Sequence, residues 1–148
     1  MGELIAIASG KGGTGKTSVC AGVAEALALD GCSVLCVDCD VGLRNLDISL
    51  GMADSGGLSF LDVCQGSYSC ADAPRHPRYP TLAFLTAPLR CPPDKIDRDA
   101  FGAFLHRART DFDFIFLDAP AGLDAGFQLV SSAAEEFLLV TGPGPAAI

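Results

Sequence analysis

At 148 residues, 49% hydrophobic and 19% charged, the chain has the composition of one globular domain able to bury a core, not of a disordered segment. Its formal net charge of −8 argues against binding nucleic acid by phosphate neutralisation. No stretch approaches the ~18 consecutive apolar residues of a membrane span, Glu3 replaces a cationic leader, and Ala6 stands where a myristoylation signal needs Ser or Thr. A cytoplasmic location is the expectation.

Residues 4–8 (LIAIA) form a continuous apolar run, as in a strand buried on both faces. A glycine-rich turn follows, then a helix over 16–29 in which Val19, Val23, Ala26 and Leu27 recur at helical spacing and Gly31 is placed to end it. Residues 33–38 (SVLCVD) read as the second strand, and 57–66 as a short helix around Leu58, Leu61 and Val63. The stretch 67–80, rich in Pro, Arg and Ser, reads as a solvated loop with one helical turn near Cys70. A third strand is expected over 82–86 (LAFLT), then a loop marked by Pro88, Pro92 and Pro93. A helix over 97–109 carries Phe101, Phe104 and Leu105 on one face. Residues 112–118 (FDFIFLD), 123–134 and 136–141 (EFLLVT) complete the pattern as strand, helix and strand. Five strands alternating with helices predict right-handed crossovers and a parallel sheet covered on both faces, with ligands beyond the carboxyl ends of the strands.

Seven cysteines raise the question of a metal site. The closest spaced are Cys32, Cys36 and Cys39, but residues three apart on a strand point to opposite faces and do not converge on one ion. Cys20, Cys64, Cys70 and Cys91 lack ligand spacing, so ordinary thiols in a reducing compartment are expected.

The chemistry concentrates in three places. Gly10-Lys11-Gly12-Gly13-Thr14-Gly15-Lys16-Thr17 fits the phosphate-binding pattern G-x-x-x-x-G-K-[ST], set between a buried strand and a helix as that motif requires. Its glycines let successive N–H groups turn towards phosphate oxygens, and the helix adds its positive end. Lys16 is suited to the β- and γ-phosphates and Thr17 to Mg²⁺. The nucleotide-binding set runs on to Ser18. Of three lysines, Lys11 and Lys16 both fall in this loop. Asp118 closes the strand FIFLD, where a P-loop fold needs an acid for the metal, and the small turn Ala119-Pro120-Ala121-Gly122 suits γ-phosphate sensing. Asp38-Cys39-Asp40 closes the second strand with two carboxylates fit to serve a metal and orient water; Asp47 is nearby in sequence, but a solvated loop charge explains it equally well.

These segments resemble the MinD/ParA family of P-loop ATPases. The loop from Lys11 to Thr17 is similar to the family's deviant Walker A motif, and Asp38 to Asp47 (DCDVGLRNLD) to the switch I segment of its septum-site-determining branch. Asp118-Ala119-Pro120-Ala121-Gly122 is similar to switch II. The resemblance implies strand order 3-2-4-1-5 and an ATP-driven dimerisation switch in division-site selection. It implies that Lys11 reaches a partner subunit's phosphates, that Lys16 and Thr17 hold phosphate and Mg²⁺, that Asp40 positions the hydrolytic water, and that Asp38 and Asp118 surround the metal. ATP and Mg²⁺ are the implied cofactors, and division regulators of MinC and MinE type the implied partners. The family's adenine-contacting residues and membrane-binding amphipathic helix have no counterpart here, so residues 1–148 are expected to be one ATPase domain with its C-terminal part missing. Two alternatives stand beside this one: an iron–sulfur carrier-type ATPase, which needs a paired-cysteine cluster, and a nucleotide-binding module without turnover.

Overall fold

The computed structural model describes residues 1–9, 15–40, 46–52, 57–89, 91–120 and 125–141. In chain order they form β1 (Glu3–Ala8), α1 (Lys16–Leu29), β2 (Val34–Asp38), α2 (Leu46–Ser49), α3 (Phe60–Cys64), β3 (Leu82–Leu85), α4 (Arg98–Asp111), β4 (Phe114–Asp118), α5 (Ala125–Ala133) and β5 (Glu136–Leu139). Single 3₁₀ turns lie at Cys70–Asp72 and Pro93–Lys95. The strands make one parallel sheet in the order β3-β2-β4-β1-β5, as the resemblance implied. No helix among the described residues is long and apolar enough to cross a membrane.

The apolar runs dictate this arrangement. Every residue of β2 and β3 is buried, and such strands need a layer on each side. One layer buries Leu35, Val37, Leu85, Ile115 and Leu117 against Phe60 of α3 and Phe101, Phe104 and Leu105 of α4. The opposite layer buries Ile7, Cys36, Phe84 and Phe116 against α1 and against Leu46 of α2. In α1 the buried face is Cys20, Ala21, Ala24 and Ala28, while Val19 and Ala26 are exposed. The expected stripe is thus displaced by one position. Small side chains let the helix lie close against the sheet, and Val23 and Leu27 pack at its margin.

Several boundaries move for identifiable reasons. β4 starts at Phe114 rather than at position 112 because the Phe112 N–H closes α4 on the Ala108 carbonyl. β2 starts after Ser33, whose N–H donates to Asp113 Oδ2 at 2.9 Å and whose hydroxyl oxygen accepts the Asp113 N–H at 2.9 Å. The α3 start carries a Ser59/Asp62 capping box, and Asp97 caps α4 from just outside it. Positions 123 and 124 of the last expected helix lie outside the described residues.

The expected solvated loop at 67–80 needs correcting. Cys70, Ala73 and His76 are buried, and the Arg75 guanidinium sits over the Phe112 ring at 5.5 Å. The His76 N–H donates to the Leu82 carbonyl at 2.8 Å and the Phe84 N–H to the Pro74 carbonyl at 3.0 Å. This stretch therefore covers the outer edge of β3. At the other edge, Phe137, Leu138 and Leu139 of β5 are 42%, 41% and 70% exposed.

Candidate nucleotide site

β2 and β4 are neighbours in the sheet, and their last residues, Asp38 and Asp118, stand opposite each other. Cys36 and Phe116, two residues earlier, point into the α1 layer. Period-2 alternation therefore puts both carboxylates on that layer, at the carboxyl edge of the sheet. The N-terminus of α1 arrives at the same place. Gly15 precedes it at φ 83° and ψ 15°, a left-handed conformation that glycine adopts without a Cβ penalty.

The side chains converge there. Lys16 Nζ lies 2.5 Å from Asp118 Oδ1, with the side chains 10% and 0% exposed. The Thr17 hydroxyl donates to Asp118 Oδ2 at 3.0 Å. Burial pushes the Asp118 carboxyl above its ordinary range, and the Lys16 ammonium opposes that shift. Asp38 is fully buried, which pushes its carboxyl up to about 7 against the backbone hydrogen bonds that it accepts. Its Oδ1 accepts the Asp40 N–H at 3.0 Å and its Oδ2 the Leu46 N–H at 3.3 Å. The Cys39 N–H donates to the Asp118 carbonyl at 3.1 Å, which ties the two strand ends together.

Of the residues singled out in the sequence, Gly15, Lys16, Thr17, Ser18, Asp38, Asp40 and Asp118 gather at this edge. Gly10, Lys11, Gly12, Gly13 and Thr14 lie outside the described residues, as do positions 121 and 122 of the switch II-like turn. Asp47, a candidate loop charge in the sequence, lies half-buried in the first turn of α2, and its Oδ1 accepts the Ile48 N–H at 2.8 Å. Helix α2 and the bond from Leu46 to Asp38 were not foreseen, because four residues are too few to show a hydrophobic period. Cys36 and Cys39 point into opposite layers, as strand geometry required.

The donors suit a magnesium–phosphate ligand. A hydroxyl and a carboxylate, 3.0 Å apart, are the hard oxygen ligands that Mg²⁺ takes, with water and phosphate completing its shell. Among the described residues no group of three or more His, Cys, Asp or Glu side chains is placed to cage a metal by itself. Such a cage is what Mg²⁺ seldom uses. A buried ammonium at a helix N-terminus is in turn suited to an anion.

Residues 5–137 match the CobQ/CobB/MinD/ParA nucleotide binding domain family. The chain belongs to that family. It is 35% identical over 149 residues to the septum site-determining protein MinD of Synechocystis, a match covering all of this chain and 56% of the relative. Among solved structures it is similar to the MinC:MinD cell division protein complex of Aquifex aeolicus, with TM-score 0.86 and 35% identity over 98% of this chain and 58% of that one. It is also similar to MinD of Pyrococcus horikoshii complexed with Mg-ADP, with TM-score 0.83 and 33% identity over 99% of this chain and 60% of that one. The chain spans a little over half the length of these family relatives.

Proposed function

We propose that this member of the family is an ATP-binding and ATP-hydrolysing switch of MinD type that dimerises on ATP and acts in division-site selection. The observation that carries the proposal is the joining of Lys16, Thr17 and Asp118 at one helix N-terminus beyond the carboxyl ends of parallel strands. Lys16 exchanges the Asp118 carboxylate for the β- and γ-phosphates of ATP, so a buried cation keeps an anionic partner throughout. Thr17 and Asp118 hold Mg²⁺, which neutralises developing phosphate charge when bound. Gly10 to Ser18 cradle the phosphates, and Asp40 orients the attacking water. Lys11 reaches across the dimer to the partner subunit's phosphates. Regulators of MinC and MinE type are the proposed partners. The similarity to the MinC:MinD complex supports the first of them.

The test is light scattering on the eluted chain and on Lys11→Ala, each with Mg-ATP and Mg-ADP, beside a phosphate-release assay. An ATP-specific dimer that Lys11→Ala abolishes, with turnover, supports the switch. A monomer that binds Mg-ADP without turnover leaves a nucleotide-binding module. Failure to bind nucleotide at all overturns the proposal.

A further inference from the structure

At the end of β2, Asp38 holds main chain on both sides of positions 41–45. Its two oxygens take one N–H each, from Asp40 two residues on and from Leu46 eight residues on. The first contact is a local turn of the kind aspartate often makes. The second is not local, and it fixes the first residue of α2 to the end of a central strand. Leu46 is itself fully buried in the layer beneath α1. One side chain thus sets two backbone points at once: the amide of Asp40 and the start of α2.

We propose that Asp38 is a positioning residue. It acts through the main chain of Asp40 and Leu46 to place the Asp40 carboxylate, and it does not ligate magnesium. Thr17 and Asp118, which contact each other while Asp118 also pairs with Lys16, carry the metal role instead. The kinetic arm of the test presupposes the ATPase proposed above; the structural and binding arms do not.

The experiment uses the whole chain as wild type, Asp38→Asn, Asp38→Ala and Asp118→Asn. It records amide exchange at Asp40 and Leu46 by NMR, magnesium dependence of fluorescent ADP binding, and ATP turnover. Losing an acceptor speeds exchange of the amide it held by about tenfold, at both amides in Asp38→Ala and at one in the isosteric Asp38→Asn. The magnesium half-saturation stays within about twofold of wild type for both Asp38 variants but rises about tenfold in Asp118→Asn. Turnover falls by about 10²-fold in Asp38→Ala with little change in KM, and Asp38→Asn recovers part of it. Unchanged exchange at both amides, or a magnesium shift in Asp38→Asn matching that of Asp118→Asn, overturns the assignment. If wild type binds Mg-ADP but never turns ATP over, the proposed ATPase fails while exchange and magnesium titration still decide Asp38. If no nucleotide binds, the proposed function fails, and unchanged exchange at both amides still overturns the Asp38 assignment.

Discussion

Lys16 and Asp118 are 102 residues apart in the chain and 2.5 Å apart in the fold. Both are buried, so each charge depends on the other for what water no longer supplies. The pair also joins the first turn of α1 to the end of β4. A cation held this way is ready to trade one anion for another.

Breaking that pair from one side should be costly. Asp118→Ala strands the Lys16 ammonium and is expected to cost about 3–5 kcal/mol in urea unfolding. The double variant Lys16→Met with Asp118→Leu should regain most of that loss while binding no nucleotide, because it removes both buried charges together. Losses that simply add would show that the two side chains are not coupled.

Asp38 should make the stability of the nucleotide-free protein depend on pH. Its carboxyl titrates at about 7 in the folded state against an ordinary 3.8, mainly through burial. The folded state therefore binds this proton more tightly than the unfolded chain. Stability from that proton is present at low pH and is lost as pH rises through about 7. Asp118, also raised, acts in the same direction. Urea midpoints at pH 5 and pH 8 should fall more for wild type than for Asp38→Asn, which cannot titrate. Equal slopes in the two proteins would contradict the burial effect.

The first residues are tied to the C-terminal end of α4. The Gly2 N–H donates to the Arg109 carbonyl at 2.7 Å, and Arg109 Nε donates to the Gly2 carbonyl at 2.9 Å. A Cβ at Gly2 would meet the Phe112 carbonyl oxygen at 1.9 Å. Gly2→Ala should thus cost about 1–3 kcal/mol as the backbone shifts to make room. Gly22, in the interior of α1, would have nothing within 4 Å of an added methyl and serves as the control. Gly22→Ala should raise stability by about 0.5–1 kcal/mol through helix propensity. Thermal melts of the two variants should shift in opposite directions.

How much of this was legible in the sequence depended on whether a signal was local. Strands such as LIAIA and FIFLD announced themselves because a strand buried on both faces has no polar alternation to disguise it. That Gly15 to Ser18 would come together at the carboxyl edge of the sheet was legible because a strand, a glycine turn and a helix fall in register, and Asp38 and Asp118 were placed there because each closes an apolar strand. The packing face of α1 was misplaced by one residue because alanine and cysteine, not the larger valines, fit under the helix. The cover over β3 was missed because it rests on backbone hydrogen bonds, one accepted by the Pro74 carbonyl and one donated by the His76 N–H, which no side-chain pattern reports. The bond from Asp38 to Leu46 was missed because it joins residues eight apart without a repeat to reveal it.

The two sheet edges differ, and the difference predicts how the chain behaves in solution. On the β3 side Pro74 and His76 occupy the outer main-chain groups. On the β5 side no strand among the described residues lies outside Glu136–Leu139, and three apolar side chains are exposed there. An uncovered apolar edge is a template for another strand. This 148-residue chain should therefore self-associate as its concentration rises, independently of nucleotide. Leu139, 70% exposed, is the position at which to interrupt that association. Leu139→Lys places a charge on the edge and should suppress association seen by light scattering. Its urea midpoint should change by no more than about 0.5 kcal/mol equivalent, since an exposed side chain carries little of the core. Association that persists unchanged in Leu139→Lys would mean that copies meet through another surface. A large loss of stability would mean that Leu139 is covered in solution.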